Sequence, residues 1–172
     1  MRPIIRSKSI FLIFTLIFLN GCATNSYTDA PPTLGVLYSK YVDIGYDGDI
    51  KPFEEVGVVT TDGIVKVQSV DGKSMDQYRE YKTSGFYSGG RYQLHLLPGL
   101  HTLTLSFHYD KGTGTIAWSK ADIPKVISIS AGQVIHISWS DNGSTWKALE
   151  SDGSKALTTI KSDYAELTKG KL

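Results

Sequence analysis

Through the second half of the chain, apolar and polar positions alternate. Leu103, Leu105, Phe107 and Tyr109 are interleaved with Thr102, Thr104, Ser106 and His108, and a period of two puts the two sets on opposite faces of a half-buried strand. Tyr92, Leu94 and Leu96 alternate with Gln93 and His95 in the same way, up to a Leu97-Pro98-Gly99 turn. Upstream, Val56–Thr60 and Ile64–Val70 flank Thr61-Asp62-Gly63, an Asp-Gly turn of the kind that closes hairpins, and Asp71-Gly72 ends the second run. Downstream, Ile116 and Trp118 mark a strand after the Lys111–Gly114 connection. Ile127 and Ile129 form a further pair with Ile135, Ile137 and Trp139 around Ala131-Gly132, and Trp146 and Ala148 open a last segment. Short strands at this spacing, separated by Gly-containing turns, predict an all-β fold, a single antiparallel β-sandwich.

Two stretches break the pattern. Lys73–Gly90 carries no clear strand signal. In the tail, Leu157, Ile160, Tyr164 and Leu167 recur at three- and four-residue spacing before Gly170, which predicts a short C-terminal helix from about Lys155 to Thr168, laid on the domain's own sheet. The alternative for the tail is a hairpin closed by Ser151-Asp152-Gly153.

The N-terminus has a different character. Arg2, Arg6 and Lys8 precede Ile10–Leu19, ten residues that are apolar apart from Thr15. That run is shorter than the roughly 20 residues a membrane span needs and fits the apolar region of a secretory signal. Leu19-Asn20-Gly21-Cys22 follows and resembles a bacterial lipobox. The resemblance implies cleavage between Gly21 and Cys22, with diacylglycerol and an N-acyl chain on Cys22, the only cysteine in the chain. It divides the chain into a signal peptide (1–21), a lipidated cysteine with a flexible tether (22–33), and a β-sandwich domain (34–172). Residues 23–33 are polar and proline-containing, and eleven such residues span roughly 18 Å as flexible chain. Ala23 after the cysteine, by analogy with enterobacterial sorting, implies the periplasmic face of the outer membrane rather than the inner membrane.

Composition narrows the function. The chain of 172 residues has 18 Lys+Arg against 17 Asp+Glu, without the basic surplus that a nucleic-acid binder uses against phosphates. Removing Arg2, Arg6 and Lys8 with the signal turns the formal charge from +1 to −2. A single cysteine excludes an intramolecular disulfide and a cysteine-based zinc site.

Tyr46, Gly48, Pro52, Glu55 and Val56, then Val70-Asp71-Gly72, then Pro98-Gly99-Leu100-His101 together resemble the turns of a group of small proteobacterial lipoproteins of poorly defined function. The Pro-Gly-x-His turn is also similar to that of PEGA-like and transthyretin-like modules of the bacterial envelope. The likeness covers roughly residues 36–140. It implies an immunoglobulin-like or transthyretin-like sandwich in the cell envelope and brings no catalytic residue.

Candidate chemistry is sparse. His101 shares the parity of Leu103 and Leu105, so it points inward at the start of its strand, as a turn-bonded imidazole or as a ligand-binding or catalytic one. His95, His108 and His136 fall on polar faces. Asp47-Gly48-Asp49 lacks the oxygen ligand an EF-hand needs where Lys51 stands, and Gly112-Thr113-Gly114 lacks the Gly-Lys-Ser/Thr end of a phosphate loop. The richest stretch is 75–92, where Met75, Tyr78, Tyr81, Phe86, Tyr87 and Tyr92 stand among Arg79, Lys82 and Arg91, residue types that dominate binding hot spots. Met75, Tyr78 and Lys82 have one-turn spacing and suggest a short helix. The expectation is a membrane-anchored periplasmic lipoprotein with a non-catalytic binding or scaffolding role toward an envelope protein, with no catalytic residue, metal or cofactor beyond the lipid. A small-ligand, glycan or metal-binding module and an envelope hydrolase are the alternatives.

Overall fold

A computed structural model describes residues 27, 38–83, 87–110, 116–141 and 145–169. Eleven strands form two sheets: β1 Tyr38–Ile44, β2 Gly57–Thr61, β3 Val65–Val70, β4 Lys73–Ser74, β5 Arg79–Thr83, β6 Tyr87–Leu96, β7 Gly99–Asp110, β8 Ile116–Trp118, β9 Ile123–Ile129, β10 Val134–Asp141 and β11 Trp146–Asp152, followed by helix α1, Leu157–Leu167. The larger sheet has the order β11-β10-β2-β6-β1-β5; the smaller runs β4-β3-β7, with β8 and β9 both pairing with β7. The fold is an all-β sandwich with one C-terminal helix, as the patterning predicts. Its larger sheet is mixed, because β1 pairs with β6 and β2 with β10 in parallel.

Sequential strands that look like hairpins in the sequence turn out to be corners. β2 and β3, joined by Asp62-Gly63, do not pair: β2 lies between β10 and β6, while β3 lies against β7. Asp62 makes the corner. Its Oδ1 accepts the Ile64 and Val65 amides at 3.0 Å each, and its Oδ2 accepts the Trp139 amide at 2.7 Å. An Asp side chain capping the amides two and three residues on turns the chain without a ladder, so the same dipeptide serves a corner as well as a hairpin. β9 and β10, expected as a pair, also separate, β9 to β7 and β10 to β2 and β11.

The run without strand signal holds structure of its own. Lys73–Ser74 is β4, Met75–Gln77 is a single 3-10 turn where the spacing suggests a helix, and Arg79–Thr83 is β5 at the sheet edge. An edge strand buries little, so its residues carry no apolar alternation. β1 has alternation of a shorter kind: Val42 and Ile44 are fully buried, and Tyr41 and Asp43 face the other way.

The larger sheet is covered on both faces. Toward the smaller sheet, Val59, Leu94, Leu96, Ile135 and Ile137 meet Val65, Val70, Leu103, Leu105, Ile127 and Ile129. On the other face, Val42, Ile44, Val58 and Val134 pack with Phe53, Ile160 and Tyr164. The second layer is the reason that His95 and His136, expected on polar faces, are buried; His108, outside that layer, is exposed. α1 grows from a 3-10 turn at Ser154–Ala156 that Asp152 starts by accepting the Ser154 amide at 2.9 Å. Its buried positions are Ile160, Asp163 and Tyr164, and Thr168 closes it by donating its hydroxyl to the Tyr164 carbonyl at 2.7 Å.

The parity of β7 can be tested directly. Leu103 is fully buried and Leu100 is 72% exposed. In urea unfolding, Leu103→Ala is expected to cost about 2–5 kcal/mol, and Leu100→Ala to stay within about 0.5 kcal/mol of the parent. Equal effects would mean that β7 is out of register.

Candidate functional site

The residues expected to form one binding surface divide among three environments. Met75 and Tyr78 pack against the core between the sheets, and the Lys73 ammonium lies 4.3 Å from the centre of the Tyr78 ring. Tyr81 packs on the opposite, helix-covered face, and Arg79 reaches the Gly48 carbonyl. Arg91 is buried under α1, and Tyr92 lines a cavity between the sheets. Phe86 and the Tyr87 side chain lie outside the described residues, as do Gly21, Cys22 and Gly112–Gly114.

That cavity has a volume of about 300 Å³. Tyr41 and Asp43 of β1, Glu80 of β5 and Tyr92 of β6 contribute from the larger sheet, and Val65, Lys66 and Val67 of β3 from the smaller. Parallel pairing brings them together by setting Tyr41 opposite Tyr92, and the antiparallel register sets Asp43 opposite Glu80. Burial raises the Asp43 carboxyl to about 6, and the nearby Glu80 charge adds to the rise, while Tyr92 and Lys82 act against it. Lys82 is committed to Glu80 at 2.7 Å. The Tyr92 hydroxyl is buried beside Asp43, near enough to act on the carboxyl as a donor but short of full hydrogen-bond geometry, and its oxygen accepts no hydrogen bond among the described residues. Burial, then the Asp43 charge, pushes that phenol well above its ordinary range. Asp43 was not singled out in the sequence; its signal was a carboxylate on the face of β1 opposite Val42 and Ile44.

Under α1 the polar groups bond mainly to one another, with Arg91 Nη1 and His95 Nδ1 left without a partner among the described residues. Arg91 donates through Nε and Nη2 to the two oxygens of Asp163, both at 2.7 Å, with side chains only 4% and 3% exposed. Lys40 stands 3.4 Å from Asp163 and 2.5 Å from Glu166. Tyr27, which falls in the stretch read as tether, is only 7% exposed and donates its hydroxyl to Asp163 at 2.9 Å. Gln93 donates to the Tyr27 hydroxyl at 2.5 Å and to the Ile160 carbonyl at 3.0 Å, and its own carbonyl accepts from His95 Nε2 at 2.8 Å. Burial lowers the His95 pKa to about 3, so the ring is neutral, and it stacks on Tyr164 with centroids 4.2 Å apart.

His101 takes a bonded place at a turn. Its Nδ1 meets Asp71 Oδ2 at 2.7 Å and its Nε2 meets the Leu97 carbonyl at 2.8 Å, while Asp71 Oδ1 accepts the Thr102 amide at 2.8 Å. Asp71 itself has a positive φ of 49°, a conformation Asp tolerates better than most residues. The Val70-Asp71-Gly72 and Pro98-Gly99-Leu100-His101 turns, quoted for the resemblance, are thus fastened to each other. No group of three His, Cys, Asp or Glu side chains among the described residues comes together as a metal site.

Two buried acids should respond oppositely to removal. Asp163→Ala leaves Arg91 and Lys40 without their shared carboxylate, and thermal or urea unfolding should show a loss of about 3–5 kcal/mol. Asp43 has a folded pKa above its ordinary value, so the folded state favours its protonated form. Its contribution is most favourable below pH 4 and is lost as pH rises through about 6. Asp43→Asn should therefore raise stability at pH 7.5, by about 3 kcal/mol at most, with the gain vanishing near pH 4. A gain independent of pH would show that Asp43 is not the titrating group. Comparison with known proteins adds no relative: no family model, curated protein or solved structure matches the chain.

Proposed function

We propose that this chain is a lipid-anchored protein of the bacterial cell envelope, whose β-sandwich is a non-catalytic binding domain facing the periplasm from the outer membrane. The observation that carries the reading is the position of Cys22. The only cysteine of the chain stands directly after a basic stretch, an apolar run and Leu19-Asn20-Gly21. Two or more acyl chains on that residue hold a protein stably on a bilayer, where one chain is marginal.

Tyr27 gives the anchor a mechanical meaning. It is buried against Asp163 and Gln93, five residue steps after Cys22. Five steps of extended chain reach at most about 18 Å. The helix-covered face of the domain is therefore held close to the lipid surface, and the smaller sheet, on the opposite side, is the face presented to partners in the envelope. The cavity between the sheets favours a second reading, a module for a small ligand, and that reading is compatible with the first.

Cells expressing the protein and its Cys22→Ala variant, grown with radiolabelled palmitate and separated on a density gradient, test the anchor. The parent should be labelled and sediment with the outer membrane; the variant should lose the label and most of its membrane association. An unlabelled parent, or a variant that keeps its label, would sink the reading.

A further inference from the structure

We infer that the cavity between the two sheets binds a small organic cation, a primary amine with an apolar body, whose ammonium group is received by Asp43 and the Tyr92 hydroxyl. This goes beyond the envelope reading and stands whether or not Cys22 carries lipid.

The groups around the cavity select the ligand by what each lacks. Asp43 has no Lys, Arg or His within ion-pair distance among the described residues, whereas Glu80 already has Lys82 at 2.7 Å. An ionised carboxylate taken out of water without a counter-charge is unfavourable, and a bound ammonium supplies that charge. It also carries several N–H donors, of which the Tyr92 oxygen, buried and accepting no hydrogen bond among the described residues, can accept one while its own proton stays turned to Asp43. The rest of the lining suits an apolar body: Tyr41 and Tyr92 on one side, Val65 and Val67 on the other, and aromatic faces are themselves favourable neighbours for a cation. A volume of about 300 Å³ lies at the small end of ligand-binding cavities.

Other ligand classes fit less well. Lys66, the lining base from β3, occupies a residue position open to solvent between Val65 and Val67, and what burial its ammonium has lowers its pKa and so disfavours its charge, which suits it poorly to hold an anion. A divalent metal would need a third ligand beside Asp43 and Glu80, and no such trio exists among the described residues. Entry is available along β3, because β4 covers it only at Ser69 and Val70, and Val65–Val67, paired with β7 on one side, carry no strand on the other among the described residues and form a lip of the cavity.

Calorimetric titration of the full chain in detergent with butylamine, 1,5-diaminopentane and phenethylamine, each against its neutral alcohol counterpart, tests the assignment. At least one amine should bind at pH 7.5 while its alcohol does not. The groups facing Asp43 are Glu80 and Lys82 from β5, Tyr92 from β6, and Tyr41 and Lys66 at the walls. The amines stay protonated throughout, so ionisation of Asp43 at about 6 should make binding roughly tenfold weaker at pH 5 than at pH 7.5. Asp43→Asn should lose at least tenfold at pH 7.5 and flatten that pH dependence. Tyr92→Phe should weaken binding several-fold, and Glu80→Gln should change it least. Failure of all three amines, equal binding of the alcohols, or an unchanged pH profile in a folded Asp43→Asn protein would each overturn the proposal. The pH arm requires no variant and decides the matter even if Asp43→Asn does not fold.

Discussion

The bidentate pair between Arg91 and Asp163 is the contact around which the two sides of the molecule are organised. Arg91 lies midway along a strand that runs through the middle of the larger sheet, and Asp163 lies on the C-terminal helix. The same carboxylate receives Lys40 from the neighbouring strand and the Tyr27 hydroxyl from the N-terminal segment. Two buried cations sharing one acid leave that acid little freedom, since displacing it strands charge in an apolar setting. The pairing therefore dictates where α1 sits and, through α1, which apolar residues the second face of the sheet can cover.

This arrangement explains why some of the fold was legible in the sequence and some was not. β7 was legible because one of its faces meets water, so Leu103 and Leu105 alternate with Thr102 and Thr104. The tail was legible because Ile160 and Tyr164 recur at helical spacing. His95 was misread as solvent-facing, since parity separates the faces of a strand without saying what lies over each. The imidazole is instead covered by Tyr164, which is nearly seventy positions away in the chain. Corners were misread as hairpins for a related reason: Asp62-Gly63 bends the chain in either case, and its choice rests on the Trp139 amide, a partner that no local pattern reveals.

The cavity was less legible still. Asp43 and Tyr92 are separated by some fifty residues and come together through parallel pairing, which leaves no turn signature between the strands involved. His95 and Asp43 also show that burial does not act alike on ionisable groups. The imidazole becomes neutral by keeping its proton off, has a stacked ring over it and a Gln93 acceptor, and is stable as it is; only acidification disturbs it, by pulling against a pKa lowered to about 3. The carboxyl becomes neutral by holding a proton on, and loses that option as pH rises through about 6. Between these values the two groups tilt the pH dependence of folding in opposite directions.

α1 follows every described strand in the chain, so it leaves the ribosome after all of them. Until it arrives, Arg91 and Lys40 have no Asp163, Gln93 has no Ile160 carbonyl, and His95 lies open. A chain that stops before Leu157 holds every described strand yet lacks the partners of this partly charged face, which α1 alone among the described elements supplies. Leu157–Leu167 are thus a late-arriving lid on a face whose charges are already set in the sheet, so the order of synthesis leaves that face exposed for as long as the helix is missing.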